Sequence, residues 1–242
     1  MRLLRAVRFA AKLDFQLAPE TQAPIKDLAD LLLHVPESRL FDEILKLLLS
    51  GHSHACLSRL RSEGLHHDLL PLLDMILDQP QGERFIRQSL LNTDQRIRTE
   101  KPVSPGFLFA TLLWHPVQEQ WRTRQAQGER PITALFEAMT QVLETQRKTL
   151  AIPRRFDAVM KEIWSLQPRF EQRHGPRPFR LLEHPRFRAA YDFLLLRASC
   201  AEIDPSLAQW WTDFQQAPSE ERESLLLQEE GEAKRHRRRR RR

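Results

Sequence analysis

RLLRAVRFAAKL, residues 2–13, sets the fold class of this chain. Leu4, Val7 and Ala11 recur at helical spacing, as do Ala6, Phe9, Ala10 and Leu13, so much of the segment is apolar with the period of an α-helix. Arg2, Arg5, Arg8 and Lys12 recur three or four residues apart and line a basic stripe on that helix. ESRLFDEILKLLLSG (37–51) reads the same way. Ser38 is its expected cap, Leu40, Phe41, Ile44, Leu47 and Leu48 form its apolar face, and Gly51 ends it.

The rest of the chain extends that pattern. Of 242 residues only 7 are Gly and 1 is Tyr, too few for hairpins and strand-rich sheets. Pro19 and Pro24 break the chain, and a short helix is expected over 24–34 before Pro36. Further helices are expected over 53–63, 66–78 and 82–91, with an irregular connection from Asn92 to Pro102. Ser104-Pro105 has the chemistry of a helix start, Ser as cap and Pro at the first helical position. It opens a buried segment from Phe107 to Trp114 that lasts until Pro116. Helices follow over 131–150, 153–167, 185–200 and 204–215, with RHGPRPFR (173–180) as a basic loop. From about 217 onward a fraying helix gives way to disorder. The expected fold class is all-α, a helical array with a disordered basic C-terminal tail. Its divisions are 1–51, 52–152, a basic helical region 153–216, and an acidic then Arg-rich tail 217–242.

Charge is uneven. The net charge is +6, but Lys234, Arg235, Arg237, Arg238, Arg239, Arg240, Arg241 and Arg242 account for more than all of it; residues 1–233 carry 30 basic and 32 acidic groups. Like charges repel, so this run stays extended, and each cation can neutralise a phosphate and release a counterion. A targeting or solubilising run is the alternative. Within the folded part, residues 154–197 hold ten cations against five acids. Arg154, Arg155, Lys161, Arg169, Arg173, Arg177, Arg180, Arg186 and Arg188 are therefore candidates for polyanion contact, against the plainer reading of a solvated helix surface. Phe179, Phe187, Tyr191, Trp210 and Trp211 could stack on bases, or, at helical spacing beside Leu, fill a core.

Other chemistry is excluded by what these residues lack. There is no D-x-D, no Gly-Ser dipeptide, no phosphate-binding Gly loop, no H-E-x-x-H and no G-x-S-x-G. His52, His54, His66, His67 and Cys56 fit no common zinc spacing, so no metal and no catalytic residue is assigned. Cys56 and Cys200, far apart in sequence, form no disulfide framework, which points to a reducing, cytoplasmic setting. No apolar run approaches a membrane span.

At residues 2–13 and 37–51 the chain resembles the neck helices of the class II nucleotidyltransferases, the family of bacterial poly(A) polymerase I and the CCA-adding enzymes. LAIPRRF (150–156), EIWSLQPRFEQR (162–173) and RPFRLLEHPRFRAAYDFLLLRA (177–198) are similar to the poly(A) polymerase branch, as is an Arg-rich tail. The resemblance implies neck, body and tail, and an enzyme that adds AMP from ATP to RNA 3′ ends in mRNA polyadenylation and RNA turnover. In the full-length family enzyme, carboxylates of a separate head hold two Mg²⁺ ions. Those motif residues are not in this sequence, so the chain alone is expected to hold neither Mg²⁺ nor ATP and to be inactive. Arg5 and Arg8 fall on family positions that contact nucleotide, and their i, i+3 spacing can aim two guanidinium groups at one nucleotide. Ion pairing to the head is the other reading of these arginines. Arg39, Glu43 and Lys46 resemble structural neck residues. The resemblance also implies RNA-backbone contact over 154–188, RNA-decay proteins as partners, and a monomer. The alternative is a stand-alone, non-catalytic RNA-binding protein or an inactive remnant.

Overall fold

The computed structural model describes residues 2–65, 80–150 and 152–227. Among them every regular element is helical: α1 (Arg2–Leu13), α2 (Pro19–Asp27), α3 (Glu37–Leu48), α4 (Ser53–Ser62), α5 (Pro80–Arg98), α6 (Pro105–Leu112), α7 (Trp114–Ala126), α8 (Pro131–Leu150), α9 (Asp157–Leu166), α10 (Arg177–Leu182), α11 (Phe187–Ser199) and α12 (Pro205–Gln216). Short 3-10 turns occupy Ala29–His34, Arg154–Phe156, Gln167–Glu171 and Arg222–Leu225. The chain divides into two compact units, Met1–Lys161 and Glu162–Arg242. No described helix is long and apolar enough to cross a membrane.

In the first unit α1 buries Leu4, Val7 and Ala10 and packs on α3 and α4. The start of α4 needs an anion, because His52 at its N-cap supplies no side-chain bond. Asp94, from the C-terminal part of α5, takes that place. Its carboxylate accepts from Ser53 N at 2.6 Å and from His54 N at 3.2 Å, while Ser53 Oγ donates to the Leu90 carbonyl at 3.2 Å. Gly51, between α3 and α4, sits at φ +78°, and a Cβ there would lie 3.3 Å from Ile97 Cγ2 on α5. Arg98 Nε closes the joint by donating to the Gly51 carbonyl at 3.1 Å. Helix α6 starts as expected, with Ser104 Oγ accepting from Phe107 N at 3.3 Å. Helices α7 and α8 pack together across a four-residue turn. There the Trp121 indole donates to the Pro131 carbonyl at 2.8 Å and Arg124 pairs with Glu129 at 2.8 Å.

The second unit is built on an aromatic core. Trp211 lies edge-on to Phe170 at 5.0 Å and donates its indole N–H to the Phe170 carbonyl at 2.8 Å. Phe187 stacks on Tyr191 at 5.9 Å, and the Tyr191 hydroxyl bonds Thr212 Oγ1 at 2.6 Å. Every polar tip in this cluster has a partner, so the rings are buried without leaving a donor orphaned.

Several expected boundaries are corrected. Residues 92–98 continue α5 instead of forming a connection, because Asp94 and Thr93 are buried and bonded there. The segment 24–34 is not one helix. Pro19 opens α2, which runs through Pro24, and a 3-10 turn follows. Helix α3 begins at Glu37 with Pro36 at the N-cap position, so Ser38 is not the cap. Pro116 does not end the buried segment; it lies inside the first turn of α7, where a missing N–H costs nothing. The basic stretch 173–180 is a loop only to Pro176, and α10 begins at Arg177. The expected helix over 66–78 lies outside the described residues.

Candidate nucleic-acid interface

Helix α1 carries the two nucleotide-side candidates. Arg5 is exposed at 57% and reaches across to α3, where its Nη2 lies 3.4 Å from Glu43 Oε1. Lys46 Nζ meets the same oxygen at 3.0 Å. Glu43 itself is only 4% exposed, so one buried carboxylate holds two cations at the surface. Burial pushes the Glu43 carboxyl up, but hydrogen bonds from Lys46 and Arg5 and their positive charge outweigh it and hold it below its ordinary value. Arg8 is half-buried, and its guanidinium stands 4.6 Å over the ring of Phe9, which is exposed. Arg8 Nε is buried and makes no hydrogen bond among the described residues. Arg5 and Arg8 are thus on one helix but in different settings. Arg5 is committed to Glu43, while Arg8 lies against the exposed aromatic beside it.

The basic region resolves residue by residue. In the first unit Arg154 is exposed, and Arg155 is exposed with its guanidinium 4.9 Å from the Phe156 ring. Phe156 lies 6.2 Å from Phe41 and 6.0 Å from Phe109. Lys161 Nζ bonds Thr140 Oγ1 at 3.0 Å. Arg147, which the charge pattern did not single out, pairs with Asp157.

In the second unit Arg169 and Arg180 are exposed, Arg173 is half-buried, and Arg177 sits beside His174. Arg186 pairs with Glu162 at 2.8 Å and Arg188 with Asp192 at 2.9 Å. Arg197 adds nothing to the surface charge counted from the sequence. It is 13% exposed and bound to Glu202 at 3.2 Å and Gln167 at 3.2 Å. The five aromatic candidates belong to one cluster, with Phe187, Tyr191 and Trp211 buried and Phe179 and Trp210 packed against them. They take the core alternative. The tail cations Lys234, Arg235 and Arg237 to Arg242 lie outside the described residues.

Among the described residues no group of three or more His, Cys, Asp or Glu could hold a metal ion.

Residues 14–77 match the family model described as the probable RNA and SrmB-binding site of polymerase A. Residues 127–242 match the model described as the polymerase A arginine-rich C-terminus. The chain is 43% identical over 233 residues to poly(A) polymerase I of Salmonella typhimurium, covering 93% of this chain and 50% of that protein. It is 42% identical over 234 residues to the enzyme of Escherichia coli O157:H7, with the same coverage. Against the enzyme of Haemophilus influenzae it is 38% identical over 231 residues, covering 93% of this chain and 51% of the relative. The chain spans about half the length of the curated relatives it matches.

Proposed function

This chain belongs to the bacterial poly(A) polymerase I family, and from that premise we propose that it is the RNA-gripping, nucleotide-side half of an enzyme that adds AMP from ATP to RNA 3′ ends. Its place of work is the cytoplasm. The observation that carries the reading is the sorting of cations in the basic region. Arg154, Arg169 and Arg180 stand exposed with no ion pair among the described residues, while Arg186 and Arg188 are held by Glu162 and Asp192. An unpaired exposed guanidinium can meet a phosphate without first losing a partner, so the first group supplies backbone affinity and the second supplies fold.

Arg8, half-buried with its guanidinium over the exposed ring of Phe9, contacts the incoming ATP, and Arg5, three residues before it on α1, is positioned by Glu43. Bound ATP supplies the AMP group and the pyrophosphate leaving group. Metal chemistry on that triphosphate needs carboxylates like those of the family's head, whose D-x-D and Gly-Ser motifs do not occur in this sequence, so the chain alone binds RNA without extending it.

The test is binding of the chain to a labelled single-stranded oligo(A), followed by anisotropy across a salt series, with an extension assay in Mg²⁺ and ATP alongside. Salt-dependent binding with no extension is the expected result. No binding at low salt would refute the RNA-grip reading, and extension by these residues alone would refute the division of labour.

A further inference from the structure

Residues 222–227 of the second unit are fastened at both ends. Arg222 donates from Nε to the Phe214 carbonyl at 3.1 Å and from Nη2 to the Gln215 carbonyl at 3.2 Å, capping the last turn of α12 with a cation. The Trp210 indole donates to the Leu225 carbonyl at 2.9 Å. Leu225 and Leu226, half-buried, pack on the aromatic cluster. Leu227 N then donates to the Arg173 carbonyl at 2.9 Å. Trp210 stacks on Phe214 at 4.8 Å, and Phe214 meets Phe179 of α10 at 5.3 Å. Residues 222–227 are thereby tied to α12 and to the basic stretch that leads into α10.

That fastening fixes where the rest of the chain departs. Leu227 is bonded to Arg173, within a basic run that also carries Arg169, Arg177 and Arg180. Lys234, the first cation of the tail, is seven residues further on. Seven residues span at most about 25 Å in any conformation. The eight tail cations therefore begin within that distance of the Arg173 edge.

We infer that residues 222–227 are a strap that roots the Arg-rich tail at the Arg173 edge, so that edge and tail grip one RNA strand as a single bivalent surface. The inference rests on the RNA-binding reading above and adds to it the geometry of the grip. Without the strap the tether would run from Gln216, eighteen residues before Lys234 instead of seven. The effective concentration of a tethered second site falls roughly as the −3/2 power of tether length, so release of the strap should weaken binding about fourfold.

The strap is released in the full chain by the triple variant Arg222→Ala, Leu225→Ser, Leu226→Ser, and a second form of each protein lacks residues 234–242. Affinity for a labelled twenty-nucleotide oligo(A) is measured at fixed salt, with thermal melts to follow the fold. The expected result is about fourfold weaker binding by the strap variant when the tail is present and no change when it is absent. The same loss without the tail would overturn the inference, because the strap would then be shaping the edge alone. Tighter binding on release would also overturn it, since the exposed Glu220, Glu221 and Glu223 would then be shielding the edge. So would an unchanged affinity. Should the triple variant lose its fold, Trp210→Phe removes only the indole donor to Leu225 and should give a smaller loss with the same dependence on the tail. Failure of every form to bind RNA would instead sink the RNA-binding reading itself.

Discussion

Glu43 makes the neck of this chain a matter of one carboxylate. It is buried, yet it faces two exposed cations from two helices, Arg5 on α1 and Lys46 on its own α3. Its pKa is lower folded than unfolded, so the stability it contributes is present above the unfolded value and is lost as pH falls through the folded one. Glu43→Gln should therefore cost about 1 kcal/mol at neutral pH, the net worth of a charge-assisted bond whose cations keep their water. Urea unfolding of the variant and the parent should converge only once the pH lies well below the ordinary carboxylate range, where the parent carboxyl is neutral in the folded state as well. A difference that persisted at low pH would mean the side chain matters for packing and not for charge. Residue-scale sorting applies to the basic region as well. Arg169→Ala and Arg180→Ala should each lower the salt slope of RNA binding by about 0.7. Arg186→Ala and Arg188→Ala should lower it less and should instead reduce the melting temperature.

At the scale of elements, the start of α4 shows what a sequence reading can and cannot reach. The helix itself was legible over 53–63, where Gly64 stops it, and the structure has it over Ser53–Ser62. Its cap was not, since Asp94 lies 41 residues later and nothing local marks it. The same residue explains why the expected connection after Asn92 is helix. Polar residues that look like a loop are there because α5 must present a carboxylate to α4. Periodicity likewise disclosed α1, α3, α8 and α12, whose apolar faces are continuous. It misplaced α2 and α10, which are short and start at or beside Pro, where pattern is weak and geometry comes from neighbours. The candidate site divides along the same line. Charge could be counted from residues, but pairing could not, so Arg197 was counted as surface charge and the Arg186–Glu162 and Arg188–Asp192 pairs were invisible. Asp94→Ala leaves two backbone N–H groups without their acceptor and should cost about 1–3 kcal/mol, seen as a lower urea midpoint with an unchanged slope. Asp94→Asn, which keeps one carbonyl acceptor, should recover part of that loss.

Across the whole molecule, cations gather toward the C-terminal half and end in a run of eight, while residues 1–233 are nearly balanced. Affinity for a polyanion should therefore be dominated by electrostatics that salt can switch off. Removing residues 234–242 should lower the salt slope by up to about 6, which titrations between low and moderate salt can resolve. The Asp94 cap also has a meaning in time. A ribosome releases Ser53 long before it releases Asp94, and at roughly 5–20 residues per second the wait is about 2–8 s. During that interval the nascent chain has a helix with no anion at its start and a joint at Gly51 with nothing to close it. Synthesis thus orders assembly: the N-terminal helices are held provisional until α5 arrives, and a codon run that slows translation between 53 and 94 would lengthen the period in which their apolar faces are open to other chains.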